Sequence, residues 1–169
     1  MASDPQSGDP QPRGLQVGDL VPDVALATPD GGTLTLTQLR GRPLVLYFYP
    51  KDDTPGCTTE AKDFSALKPV FDSVGVDILG VSKNSPAQHV RFATKHDLTI
   101  GLATDVDDSV CAAFGTWIEK SLYGRKYMGI DRATFLIDAN GLIVGIWRKV
   151  KVPGHAQQVL EAAEALAGR

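Results

Sequence analysis

Six consecutive apolar and aromatic residues, Leu44-Val45-Leu46-Tyr47-Phe48-Tyr49, stand between Arg42-Pro43 and Pro50. A run this short and this apolar, fenced by prolines, reads as a strand covered on both faces. Such strands belong to α/β sheets, whose ligands bind beyond the carboxyl ends of the strands. Chemistry is therefore expected in the segment that follows, Pro50-Lys51-Asp52-Asp53-Thr54-Pro55-Gly56-Cys57-Thr58-Thr59-Glu60. Thr54 suits an N-cap and Pro55 the first helical position, where its missing N–H would be unsatisfied anyway. Cys57 then occupies the third helical position, and the Thr54 hydroxyl is expected to reach its N–H.

A thiol at a helix start is placed to be a nucleophile, but placement alone is insufficient. A free thiol has a pKa of about 8.5, and helix N-termini and nearby cations lower it. The helix end contributes roughly 0.3 to 1 kcal/mol, less than one pKa unit. Asp52 and Asp53 are expected to push the other way, so a cation from elsewhere in the chain is required. Arg132, opening the apolar run Ala133-Thr134-Phe135-Leu136-Ile137, is the candidate; its other reading is a solvated charge at a strand end.

The segment Phe48-Tyr49-Pro50-Lys51-Asp52 with Thr54-Pro55-Gly56-Cys57-Thr58 and Glu60 resembles the active-site signature of the peroxiredoxins, in particular the bacterioferritin comigratory protein or peroxiredoxin Q subfamily. Asp77-Ile78-Leu79-Gly80-Val81-Ser82, Phe114-Gly115-Thr116-Trp117, Glu119-Lys120-Ser121, Tyr127-Met128-Gly129-Ile130, Arg132 and Thr134 to Asp138 are similar to that subfamily in order and spacing. The resemblance runs from about Leu15 to the C-terminus. It implies a thioredoxin-like α/β sandwich with an added N-terminal β-hairpin. It also implies a peroxidase acting on hydrogen peroxide and organic hydroperoxides.

Cys57 would be the peroxidatic nucleophile, which becomes a sulfenic acid. Thr54 would offer its hydroxyl to the peroxide, and Arg132 would stabilise the thiolate and the developing charge. Pro50, Pro55, Gly56 and Glu60 would line the substrate pocket. Pro50 and Pro55 also serve as punctuation at the strand end and helix start, and Glu60 as a favourable first-turn charge. No cofactor and no metal are implied.

After turnover a thiol must reduce Cys57, and the chain has two cysteines, Cys57 and Cys111. A resolving cysteine in this subfamily often stands five residues after the first, where this chain has Lys62. The other familiar place is the next helix, Pro86 to His96, which has no cysteine. Cys111 lies in a short helix with Val110 and Phe114 on its face and reads as core; its alternative is a resolving thiol. The expectation is a one-cysteine mechanism with an external reductant: thioredoxin, glutaredoxin or a low-molecular-weight thiol. The rival is a peroxide sensor or redox relay without fast turnover. A thioredoxin-type dithiol is disfavoured, since the second cysteine of a Cys-x-x-Cys motif would fall at Glu60.

With 169 residues, 43% hydrophobic and 22% charged, the chain is expected to form one domain over residues 15–169. Residues 1–14, with Pro5, Pro10 and Pro12 among polar residues, are expected to be a disordered tail. They lack the apolar region of a secretory signal. With no stretch of roughly 20 apolar residues, a cytoplasmic location and no membrane contact are expected. A net charge of −3 with no block of either sign gives no footprint for nucleic acid, and a monomer is expected. His89, His96 and His155 show no metal spacing and none sits as a base for Cys57. That disfavours an acyl-transfer enzyme, which needs a Cys–His pair.

Turn signals complete the pattern. Hairpins are expected around Pro29-Asp30-Gly31-Gly32 and Asn140-Gly141. Helices are expected from Pro55 with a kink or break at Pro69, over Pro86 to His96, around Cys111, and over His155 to Ala167. The stretch containing Trp117, Tyr123 and Tyr127 is expected to be a loop.

Overall fold

The computed structural model describes residues 14–168; of the expected tail, residues 1–13 lie outside the described residues. The apolar run is strand β3 (Leu44–Phe48), buried at all five positions. It lies between β4 (Asp77–Ser82), which runs parallel to it, and β8 (Ala133–Ile137), which runs antiparallel. The remaining strands are β1 (Ala25–Ala27), β2 (Thr33–Thr35), β5 (Gly101–Thr104), β6 (Trp117–Leu122), β7 (Arg125–Ile130) and β9 (Ile143–Trp147). Seven of them form one sheet in the order β2-β1-β5-β4-β3-β8-β9, and β6 and β7 form a separate two-stranded sheet. The expected N-terminal hairpin, β1 with β2, joins the main sheet through β5.

Because successive residues of a strand face opposite ways, β3 feeds two cores. Val45 and Tyr47, with Tyr49 just beyond the strand, face a layer of three helices: α1 (Pro55–Ser73), α2 (Pro86–His96) and α4 (His155–Ala167). Phe64, Phe71, Phe92, Val159 and Leu160 fill that side, with Tyr47 stacked on Phe64 at 4.8 Å between ring centroids. Leu44, Leu46 and Phe48 face the other side. There they meet α3 (Ser109–Ala113), Phe114, Phe135 and the N-terminal Leu26 and Leu36. The close approach of Tyr47 to β4 requires a glycine: a Cβ on Gly80 would lie 2.7 Å from the tyrosine ring.

Helix α2 begins where Ser85-Pro86 signals it. Ser85 and Gln88 exchange hydrogen bonds in a capping box, which satisfies two of the free N–H groups at the helix start. Two expectations are corrected. Pro69 does not break α1, which continues to Ser73. The proline leaves the Ser65 carbonyl without its helical donor, and Thr99 supplies a replacement. Its hydroxyl donates to that carbonyl at 3.4 Å, while its N–H donates to Ser65 Oγ at 3.1 Å.

The stretch from Trp117 to Ile130 is not a loop but the β6–β7 hairpin, paired from Trp117↔Ile130 to Leu122↔Arg125. Tyr123 and Gly124 form its turn with φ of 53° and 78°. Two left-handed residues match the twist of the flanking strands.

Candidate active site

Past β3, the backbone is drawn toward α2 before it enters α1. Asp52 donates its N–H to Asn84 Oδ1 at 2.8 Å, and its carboxylate accepts the Tyr49 hydroxyl at 2.5 Å. The other carboxylate oxygen lies 2.8 Å from His89 Nδ1, whose Nε2 lies 3.0 Å from the Ala103 carbonyl. The His89 ring thus bridges the Asp52 carboxylate and β5. Asp53 is held by Lys95 Nζ at 2.7 Å and His96 Nε2 at 2.8 Å. Each of the two aspartates expected to oppose a sulfur anion is thus in contact with side chains of α2, Asp52 with His89 and Asp53 with Lys95 and His96. The sequence reading missed His89 and His96, whose partners lie about forty residues away.

Thr54 is the N-cap of α1 and Pro55 the first helical residue, as expected, and the Thr54 carbonyl accepts the Thr58 N–H at 2.8 Å. The expected bond from the Cys57 N–H to the Thr54 hydroxyl is absent. The hydroxyl instead donates to the Lys51 carbonyl at 2.8 Å, a local acceptor of the kind that competes with capping. Its lone pairs remain available to an incoming donor. Pro50 is half-buried and Pro55 exposed.

Cys57 is 2% exposed, and its sulfur lies 3.4 Å from Arg132 Nη2. Arg132 enters from the end of the two-residue link between β7 and β8, and its Nη1 donates to Glu60 Oε1 at 2.7 Å. A planar guanidinium can serve two such partners at once. Glu60, one turn beyond Cys57, is 1% exposed, and burial raises its carboxyl to a pKa of about 7 against the pull of Arg132. It is not a surface charge at the helix start. Gly56 makes room for the guanidinium, since a Cβ there would lie 3.2 Å from Nη2.

His155, at the start of α4, contacts the Thr134 hydroxyl at 2.8 Å. Burial, then Arg132, lowers its pKa to about 4. Cys111 lies elsewhere, fully buried, with its N–H on Asp105 Oδ2 at 2.8 Å. Burial, reinforced by Asp105, pushes its thiol well above the usual range. Among the described residues no group of three or more His, Cys, Asp or Glu is arranged to hold a metal, and no helix is long and apolar enough to cross a membrane.

A cysteine sulfur met by a guanidinium at a strand-to-helix junction is the equipment of a thiol-dependent oxidoreductase. Residues 17–146 match the AhpC/TSA family. The peroxiredoxin Bcp of Xanthomonas campestris is 48% identical over 85% of this chain and 89% of its own length. That of Bacillus subtilis is 43% identical over 87% and 94%. A structure of the X. campestris bacterioferritin comigratory protein, studied for its alkyl peroxide reduction activity, superposes with a TM-score of 0.82. It is 44% identical and covers 88% of this chain and 99% of its own. The chain belongs to the AhpC/TSA family, among the peroxiredoxins of the Bcp and peroxiredoxin Q type. It is a thiol peroxidase with a thioredoxin-like fold, and it uses a peroxide substrate and a thiol reductant.

Proposed function

We propose that Cys57 reduces hydrogen peroxide and alkyl hydroperoxides by a one-cysteine route. The observation that carries this reading is the placement of Arg132 Nη2 3.4 Å from Cys57 Sγ. A cation at that distance favours the anionic sulfur, and the thiolate is the reactive form. The sulfur attacks the terminal peroxide oxygen, the O–O bond breaks, and water or an alcohol leaves after taking a proton. Arg132 stabilises the charge that develops on the leaving oxygen. The Thr54 hydroxyl, already donating to Lys51, accepts the peroxide O–H and so orients it. Gly56 admits the guanidinium, Glu60 holds it, and the rings of Pro50 and Pro55 keep bulk water from the sulfur.

An external thiol then restores Cys57: thioredoxin, glutaredoxin or a low-molecular-weight thiol. Cys111 as the resolving thiol is the second reading. The burial of Cys111 and the hydrogen bonding of its backbone favour the first. The reading is of one domain over residues 15–169, supported by contacts among its elements, that acts in the cytoplasm as a monomer. Rapid mixing of reduced protein with one equivalent of an alkyl hydroperoxide tests the reading. Oxidation far faster than that of free cysteine, abolished in Cys57→Ser, is expected. Fast oxidation that no thiol reverses would instead favour a peroxide sensor.

A further inference from the structure

The β6–β7 hairpin carries a cation that the route above leaves unused. Along β6, Ile118 and Lys120 are half-buried while Glu119 and Ser121 are exposed, so Lys120 lies on the inward face. Its partner on β7 is Tyr127, and Ile130 at the hairpin base stands two residues before Arg132. The lysine stem lies across Gly129, where a Cβ would be 3.3 Å from Lys120 Cδ. Lys120 has no hydrogen bond or ion pair among the described residues, unlike Lys126, which lies 3.7 Å from Glu119 on the other face.

The charged groups that act on Lys120 are Asp131, Arg132 and Cys57. Arg132 is already engaged by Glu60. Burial lowers the Lys120 pKa below the ordinary lysine value. A half-buried ammonium with no carboxylate in contact, within the electrostatic reach of Arg132 and Cys57, is poised to receive an anion that comes and goes.

We propose that Lys120 is an anion-binding residue at the mouth of the Cys57 site, and that it selects a small thiol reductant bearing a carboxylate. This rests on the reading that Cys57 becomes a sulfenic acid. The carboxylate sits on the Lys120 ammonium and delivers the reductant's thiolate to the oxidised sulfur. A sulfur–sulfur bond forms, the Cys57 S–O bond breaks, and hydroxide leaves as water after taking a proton. A second thiolate attacks the reductant's sulfur in the mixed disulfide and expels the Cys57 thiolate. Cys57 is reduced, and two thiols are oxidised to one disulfide.

The test oxidises Cys57 with one equivalent of hydrogen peroxide and then adds mercaptoacetate, 2-mercaptoethanol or cysteamine, which are similar in size and differ in charge. Rates are compared per thiolate. The wild type is expected to favour mercaptoacetate over cysteamine by roughly tenfold at low ionic strength, as a single partly screened charge contact allows. Lys120→Met should flatten the order, Lys120→Glu should invert it, and Lys120→Arg should retain it. No charge order in the wild type, or an order that survives in Lys120→Met, overturns the proposal. If hydrogen peroxide fails to oxidise Cys57 in the wild type, the underlying peroxidase reading fails instead.

Discussion

Cys57 and Cys111 pack against opposite faces of β3, the first with Val45, Tyr47 and Tyr49 and the second with Leu44, Leu46 and Phe48. A disulfide needs Cα atoms within about 7 Å, and packed layers stand roughly 10 Å from a sheet. Joining the two sulfurs would mean dismantling one layer. Cys111→Ala is therefore expected to keep full multi-turnover activity with an external thiol. It should cost about 1 kcal/mol of stability for the small cavity left behind. Turnover assays and urea unfolding check the two halves, and lost turnover with intact single-turnover oxidation would reinstate Cys111 as the resolving thiol.

Gly56 is conformationally ordinary, so its importance is the space it leaves for Arg132. Gly56→Ala should displace the guanidinium from the sulfur by a few tenths of an ångström or more. Loss of one charge-stabilising donor costs on the order of 100-fold in rate, and a partial displacement should cost about tenfold. Stopped-flow oxidation of Cys57 measures it. Alanine is the better helix former, so stability is expected to hold or rise slightly.

Glu60 makes stability fall as pH rises. Its folded pKa of about 7 stands above the ordinary glutamate value of 4.5, so the unfolded chain releases the proton first. The favourable state is complete below about pH 4.5 and is lost as pH rises through about 7, by up to about 3 kcal/mol. Glu60→Gln should remove this slope from urea midpoints measured between pH 5 and pH 8. The same variant frees Arg132 from its anchor and should slow Cys57 oxidation.

His155 acts in the opposite direction. Its pKa is lowered from 6.5 to about 4, so the unfolded chain binds the proton more readily. Its contribution is complete above about pH 6.5 and is lost as pH falls through about 4, by on the order of 2 kcal/mol. His155→Asn should flatten the acid side of the stability profile and leave the Glu60 slope near neutrality. An unchanged acid limb would show that His155 is as easily protonated in the folded protein as in the unfolded one.

Local signals made most of the fold legible. The proline-fenced run became β3, Ser85-Pro86 started α2, and Pro153-Gly154 preceded α4. The failures came where a distant partner decides the outcome. Pro69 is tolerated because Thr99, far along the chain, replaces the missing donor. The β6–β7 hairpin was hidden because both its faces carry exposed residues and its turn places Tyr123 in a conformation usually left to Asn, Asp or Gly. At the site, Cys57, Thr54 and Arg132 stood out by position. Glu60 read equally as a pocket residue or a first-turn surface charge until Arg132 arrived from 72 residues away. The Thr54 hydroxyl donates to the Lys51 carbonyl instead of accepting from the helix it caps.

The tie of Asp52 to His89, Tyr49 and Asn84 fastens the approach to Cys57 onto α2 and β5. A sulfur so moored is oxidised and repaired in the same place, so peroxide and reductant must share one doorway. Kinetically, the two should compete, with excess peroxide slowing recycling and excess thiol slowing oxidation.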